Sequence, residues 1–486
     1  MYLQIPDGNL KTAAKIALAP LLILLAGALI FYKERMIIDG AFIVFEIINK
    51  GELQIQVERY GSFITQLFPL IAAKCHLSLK AVLMCYSVSF TVFPLITGLI
   101  LYRLRAYALV VLLSFYFTLY VTEAYFWTNN ELHQGVCWML LLFGMVYTGS
   151  QKETGKRVVK TTVHLLLFTL LAFLAIYSHP TVMVPCGFLW GYYLIDNWKG
   201  SPKKPVMVTQ TALLCAIIIF KYLTSSQNSY DSNFLAKLGK INLQDVLDTF
   251  TSGMADVIWK GYLHNYWFIP LLFIAGIVAL VRRRKFLLLS FVVLVNLAFF
   301  VVLCLLFHGG DTHYIESELM PFAIMGSTAF VYEVLPYFHT KRTLALMLSF
   351  IFVVRLSLIA AVIPKFTDRV NKVESMLDEM KRRNITKMIV THPDGDRQLE
   401  RELIVSWALP FESMYVSALR GEQPQRTISY KSEHEAGDLQ KEDLSMNMVT
   451  PFVLWYIPDL NRRYFHIDST ERYTIVPYEE LRRGGK

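Results

Sequence analysis

Residues 13–52 read AAKIALAPLLILLAGALIFYKERMIIDGAFIVFEIINKGE. The first half is an apolar run long enough to cross a ~30 Å hydrocarbon core as a helix. The second half, from Arg35, places Asp39 and Glu46 beside the expected membrane surface. Carboxylates at that depth are costly unless they are hydrated, paired or used. These two are therefore either part of a solvated loop or part of a catalytic site.

Outward from that stretch, apolar segments recur at 13–32, 79–102, 106–122, 131–148, 161–178, 181–196, 206–223, 265–281, 286–307, 319–336 and 342–363. Only 17% of the 486 residues are charged and 55% are hydrophobic, against ~25% charged in a soluble globular chain. The pattern predicts a polytopic α-helical membrane protein with about 11 transmembrane helices. The first run lacks a small-residue cleavage site and is expected to stay as an anchor. Cysteines 75, 85, 137, 186, 215 and 304 occur singly, without a CxxC pair, and read as small core residues.

Net charge is +9, but the basic residues sit in short loops rather than on one nucleic-acid-binding face. With the N-terminus inside, the inner loops hold Arg103, Arg105, Lys152, Lys156, Arg157, Lys160, Lys199, Lys203, Lys204, the RRRK run at 282–285, Lys341 and Arg342. The opposite loops near 123–130, 179–180 and 308–318 hold no Lys or Arg. That asymmetry follows the positive-inside rule. It predicts a cytoplasmic N-terminus and, with an odd span count, a C-terminus on the outer face, which in a bacterium is the periplasmic side of the inner membrane.

The chain then divides into a membrane part, 1–363, and an outer soluble part, 364–486. The latter mixes an amphipathic helix, VNKVESMLDEMKRRN, with strand-like KMIVT, RTISY, TPFVLWYIP and RYTIVPY, and predicts a small α/β domain. Two further long outer segments are 33–78, with FIVFEIINKG and ITQLFPLIAAK as short interfacial helices, and 224–264, ending in the aromatic cluster WKGYLHNYW.

On this threading the polar residues that need explaining meet at the outer face. They are Asp39 and Glu46; Arg59 and Gln66; Glu123, Glu131 and His133; His179 before Pro180; and HGGDTHYIESE at 308–318. Each also has a plain reading: Asp39 as a helix start, Glu131 as an acid at a positive helix end, His179-Pro180 as a break between spans. The side chains of His308, Asp311, His313, Glu316 and Glu318 are able to hold a divalent cation, yet their spacing matches no specific ligand motif. The chemistry such a set suits is activation of a hydroxyl by a carboxylate, with Arg holding a phosphate that leaves. Mid-span charge, which a transport path favours, is nearly absent; Arg355 is the main exception.

The opening R-x3-DGAFIVFEIINKG followed by RYGSFITQLFPLIAAK, an inside N-terminus, acids on the second outer loop and a trailing outer domain together resemble the GT-C superfamily. These integral membrane glycosyltransferases use polyprenyl- or dolichyl-phosphate sugars and include protein O-mannosyltransferases and aminoarabinose transferases of lipid A. The resemblance covers 11–363 and rests on layout. It implies that Asp39 is the first-loop catalytic base; Glu131 and Glu46 are the further catalytic candidates, the role of Glu46 staying open, and Arg35, Arg59, Gln66, His179 and His313 are the candidates for contact with the donor phosphate or the acceptor. The superfamily's paired first-loop acids are replaced here by Asp39-Gly40, with Glu46 seven positions on. The expected partners are a polyprenyl-phosphate-linked sugar, the lipid bilayer and an envelope acceptor (glycan, lipid or protein). The competing readings are a lipid-linked saccharide flippase and a non-catalytic envelope scaffold.

Overall fold

The structure, a computed structural model, describes residues 7–128, 131–149, 157–198, 204–225, 242–307, 315–393 and 405–484, together with 232, 309, 399 and 402–403. It is 73% helical. Among the described residues, six helices are long and apolar enough to cross a membrane: Gly8–Ile30, Leu79–Arg103, Lys204–Thr224, Phe286–Leu306, Ile315–Tyr337 and the apolar part of Lys341–Arg382. The pair Gln244–His264 and Phe268–Arg282, bent by 86°, would make a seventh. Leu22, Ile219, Leu287, Leu294, Leu346 and Val353 on these helices are each more than half exposed. So much exposed aliphatic surface suits lipid and not water. The molecule is a mostly helical protein with the apolar helices of a membrane-embedded chain.

In chain order the first nine helices are α1 (Asp7–Ile30), α2 (Ile38–Lys50), α3 (Phe63–Lys74), α4 (Leu79–Arg103), α5 (Tyr107–Tyr116), α6 (Glu131–Gly149), α7 (Arg157–Ile176), α8 (Met183–Asn197) and α9 (Lys204–Ser225). Each expected span overlaps a helix, but among the described residues six, or seven with the bent pair, have the length of a crossing against the eleven expected, and α5, α6, α7, α8 and Phe268–Arg282 have only 10 to 20 residues. The shortest, α5, rises ~15 Å and is buried along its whole length. Beyond it the chain opens into turns, which frees backbone carbonyls in an apolar setting. Arg355 supplies the donors: Nε bonds Thr118 O at 2.9 Å, Nη2 bonds Val121 O at 2.8 Å, and Nη1 donates to Asn265 O. The one conspicuous mid-span cation thus satisfies open backbone, as such groups must be satisfied away from water.

Residues 33–78 carry two helices where the sequence expects them, α2 and α3, but α2 is covered by protein. Nine of its residues, from Ile38 to Ile48, are buried. The cover is the helix Leu409–Leu419 and the strands that follow it. Phe45 meets Phe411, Trp455 and Phe465 at ring-centroid distances of 4.7, 5.1 and 5.1 Å. The expected boundary at 363/364 is a junction in the chain, at Val362 between Lys341–Ala361 and Ile363–Arg382; it is not a boundary in packing.

Beyond it lies a three-stranded parallel sheet ordered β2-β1-β5, formed by Lys387–His392 (β1), Thr427–Ser432 (β2) and Thr474–Pro477 (β5). Parallel neighbours need a crossover; Leu409–Leu419 supplies it between β1 and β2. A short antiparallel hairpin pairs Asn447–Val449 (β3), just ahead of the TPFVLWYIP stretch, with Leu454–Tyr456 (β4) inside it. Of the four strand-like segments of the sequence, KMIVT, RTISY and RYTIVPY fall largely on β1, β2 and β5, whereas in TPFVLWYIP only Leu454–Tyr456 is strand, followed by a tight helical turn at Ile457–Asp459.

Candidate functional site

The site is assembled from the ends of helices that are distant in sequence. Ile37, extended at φ −122°, ψ 154°, precedes α2, and Asp39 falls in the first turn, where a carboxylate is favoured by the helix dipole. Gly40 is required by proximity: a Cβ there would lie 2.2 Å from Thr128 Oγ1. The same hydroxyl donates to Arg35 O at 2.9 Å, so the start of α2 is pressed against the 122–128 segment that precedes α6.

Arg59 is brought in by the turn at Tyr60–Ser62. Gly61 N–H donates to Tyr177 O at 3.1 Å, Trp138 Nε1 donates to Gly61 O at 3.0 Å, and a Cβ on Gly61 would meet Leu174 O at 2.0 Å. Only glycine lets this turn lie between α6 and α7. From there Arg59 Nη1 reaches Glu131 Oε2 at 3.1 Å, with the two side chains 12% and 11% exposed.

Asp39 is within electrostatic reach of Glu131, and both act on the buried Tyr86. Glu318, at the start of the tenth expected span, is within reach of Arg59 and Tyr116. The Tyr116 hydroxyl lies 3.1 Å from His133 Nδ1. His179 caps the short turn Pro180–Val182 by accepting from Thr181 N–H at 3.3 Å. Burial first, and then the charges of Arg59 and Lys221, hold its imidazole well below the usual range, so it is neutral near pH 7. Lys221, on α9, is 1% exposed with its Nζ 5.0 Å from the centroid of the Tyr177 ring. Three carboxylates, Arg59 and Lys221 thus gather with two histidines.

Other residues singled out in the sequence lie to the side. Arg35 is buried, and its guanidinium is directed at Ser87 Oγ (3.0 Å), Ser87 O (3.3 Å) and Tyr125 O, with the Tyr125 ring 4.3 Å away. Gln66 brackets Gln54, accepting from its N–H at 2.7 Å and donating to its carbonyl at 3.0 Å, which fixes the turn after α2. Glu46 is two helical turns from Asp39 on the same face, paired with Lys50 and near Tyr415. Glu123 pairs with Lys365 at 2.6 Å. Glu316 is a structural acceptor, taking bonds from the N–H groups of Thr122 (2.8 Å) and Ala124 (2.7 Å) and from the hydroxyls of Thr122 and Tyr266.

The metal candidates His308, Asp311 and His313 fall outside the described residues. Among the described residues no three His, Cys, Asp or Glu side chains form a group suited to a metal. Sequence reasoning passed over Lys221 because it sits inside an apolar run, where a single Lys reads as a span end; its only signal was that it is the sole cation between 205 and 239 apart from Lys237.

No family model, curated protein or solved structure matches this chain. What fold and site define is a class: a helical protein of membrane type with a mixed acid and base cluster at one set of helix ends.

Proposed function

We propose that the protein is a membrane glycosyltransferase that moves a sugar from a polyprenyl-phosphate donor to an envelope acceptor at the periplasmic face of a bacterial inner membrane. The observation that carries this reading is the convergence of Asp39, at the start of α2, with the Arg59–Glu131 pair, in which Arg59 comes from the turn at Tyr60–Ser62 and Glu131 from the start of α6. A carboxylate base and a cation for a leaving phosphate are the two groups such a transfer needs.

In this reading the acceptor hydroxyl gives its proton to Asp39 as its oxygen bonds the anomeric carbon. The anomeric carbon–phosphate oxygen bond breaks on the opposite side, and polyprenyl phosphate leaves with the bonding pair. Arg59 and Lys221 hold that phosphate, neutral His179, whose Nδ1 accepts from Thr181 N–H, donates one hydrogen bond from Nε2 at its edge, and Glu131 keeps the Arg59 fork in place. The isoprenoid tail stays in lipid beside the apolar helices.

The test is incubation of purified protein with radiolabelled polyprenyl-phosphate sugars and a membrane extract, with Asp39→Asn as the comparison. Label reaching an acceptor with the wild type alone supports both the reaction and the base. Transfer that survives Asp39→Asn removes Asp39 from the chemistry, and no transfer from any donor by folded protein overturns the reading.

A further inference from the structure

The sheet-bearing part of the chain reaches the site at the start of α2. Ile38 opens that helix at φ +52°, a left-handed conformation in which a β-branched residue is an outlier held only by its surroundings. Its N–H belongs to the first turn, whose donors have no intrahelical partner, and donates to Glu412 Oε1 at 2.8 Å across 374 positions of sequence. Arg369 grips both oxygens of the same carboxylate at 2.6 and 2.9 Å and also donates to Val405 O at 2.8 Å. Ile38, Arg369 and Glu412 are all at most 4% exposed. One turn beyond Glu412, the Tyr415 hydroxyl donates to Ala41 O at 2.9 Å. Asp39 and Gly40 lie between these two anchors, Ile38 and Ala41.

We infer that Glu412, fixed by Arg369, is a positioning residue for Asp39: it holds the first turn of α2 in the strained form that sets where the Asp39 carboxylate stands relative to Glu131 and Arg59. The inference rests on the proposed role of Asp39 as base. A relaxed Ile38 would turn the helix start, and a displacement of ~1 Å at a reacting group is enough to cost about 100-fold in rate. The transfer site is then complete only while the sheet-bearing part is docked.

The experiment compares three variants with the wild type in detergent. Arg369→Leu with Glu412→Leu removes the pair without leaving one buried charge alone. Glu412→Gln keeps an oxygen that accepts from Ile38 N–H, but more weakly without the charge. Glu422→Gln breaks an ion pair with Arg426 (2.5 Å) that does not touch α2. Amide exchange over 37–41 is expected to accelerate about tenfold or more in the double variant, by a smaller factor in Glu412→Gln, and not in Glu422→Gln. In the transfer assay kcat falls by about 100-fold in the double variant with the donor KM unchanged. Unchanged exchange over 37–41 in whichever of the double variant and Glu412→Gln is folded overturns the anchoring, whether or not any sugar is transferred. Accelerated exchange with unchanged kcat overturns the positioning role. If the wild type transfers nothing, the proposed function fails by itself, and exchange still decides the anchoring.

Discussion

Arg59, from the turn between α2 and α3, meets Glu131, the residue that opens α6, and the two form an ion pair of 3.1 Å with little exposure on either side. Neither segment supplies this partner locally. Such a pair is costly to break from one side, because the charge left behind is buried, and much less costly to replace as a unit.

Removing one partner, as Arg59→Ala or Glu131→Ala, is expected to destabilise the protein by about 3 kcal/mol. The double variant Arg59→Met with Glu131→Leu should lose clearly less than the sum of the two singles. A double-mutant cycle read by thermal unfolding in detergent checks it. Strict additivity would mean that the pair contributes no coupling.

Asp39→Asn keeps the size and most hydrogen bonds of the side chain but not its basicity. Transfer activity should fall by about 10²–10⁴-fold, with a melting temperature within a few degrees of wild type. Initial rates with labelled donor decide it; a fall of less than tenfold would assign the base elsewhere.

Gly40→Ala places a Cβ 2.2 Å from Thr128 Oγ1. Overpacking of this kind costs about 1–3 kcal/mol, so the variant should unfold earlier, and Thr128→Ala in the same chain should restore a large part of the loss. A Gly40→Ala protein as stable as wild type would show that the 122–128 segment yields freely.

Lys387, at the start of β1, has its ammonium pushed down to about 8 from an ordinary 10.5 by burial, against the pull of Asp468, Glu471 and Asp443. Between those values the unfolded chain binds the extra proton and the folded chain does not, so stability rises with pH across that window. Below it both states are charged and the contribution is constant. The difference in melting temperature between wild type and Lys387→Met should therefore move in favour of the wild type from pH 8 to pH 10. A difference that stays flat over that range counts against a buried amine at this position. The neutral amine can still donate to Ser445 O.

Helix-forming segments were legible because apolar runs and short amphipathic stretches are local properties of the chain. The six long spans, α2, α3 and the strands at 387–392, 427–432 and 474–477 lie where periodicity puts them, whereas in the TPFVLWYIP stretch only 454–456 is strand and its partner 447–449 lies ahead of the expected segment. Partnership was not legible. The amphipathic pattern of α2 says that one face is buried, but not that Leu409–Leu419 buries it in place of lipid. Arg35 reads in the sequence as a candidate phosphate contact and Arg355 as a mid-span exception, yet their donors close carbonyls that only the folded turns expose. At the site, Asp39, Arg59 and Glu131 were legible as polar residues on one expected face; Lys221 was hidden by its apolar neighbours. The segment with His308, Asp311 and His313 lies outside the described residues.

The shared core of α2 and Leu409–Leu419 bears on how this chain can be handled at the bench. A cut at 363 would not yield a membrane piece and a water-soluble piece. It would tear one aromatic stack in two, leaving Phe42 and Phe45 bare on the first fragment and Phe411, Trp455 and Phe465 bare on the second. Each fragment would then look for a substitute surface in detergent, in lipid or in another copy of itself, and the second would come out of solution on its own despite a composition that reads as soluble.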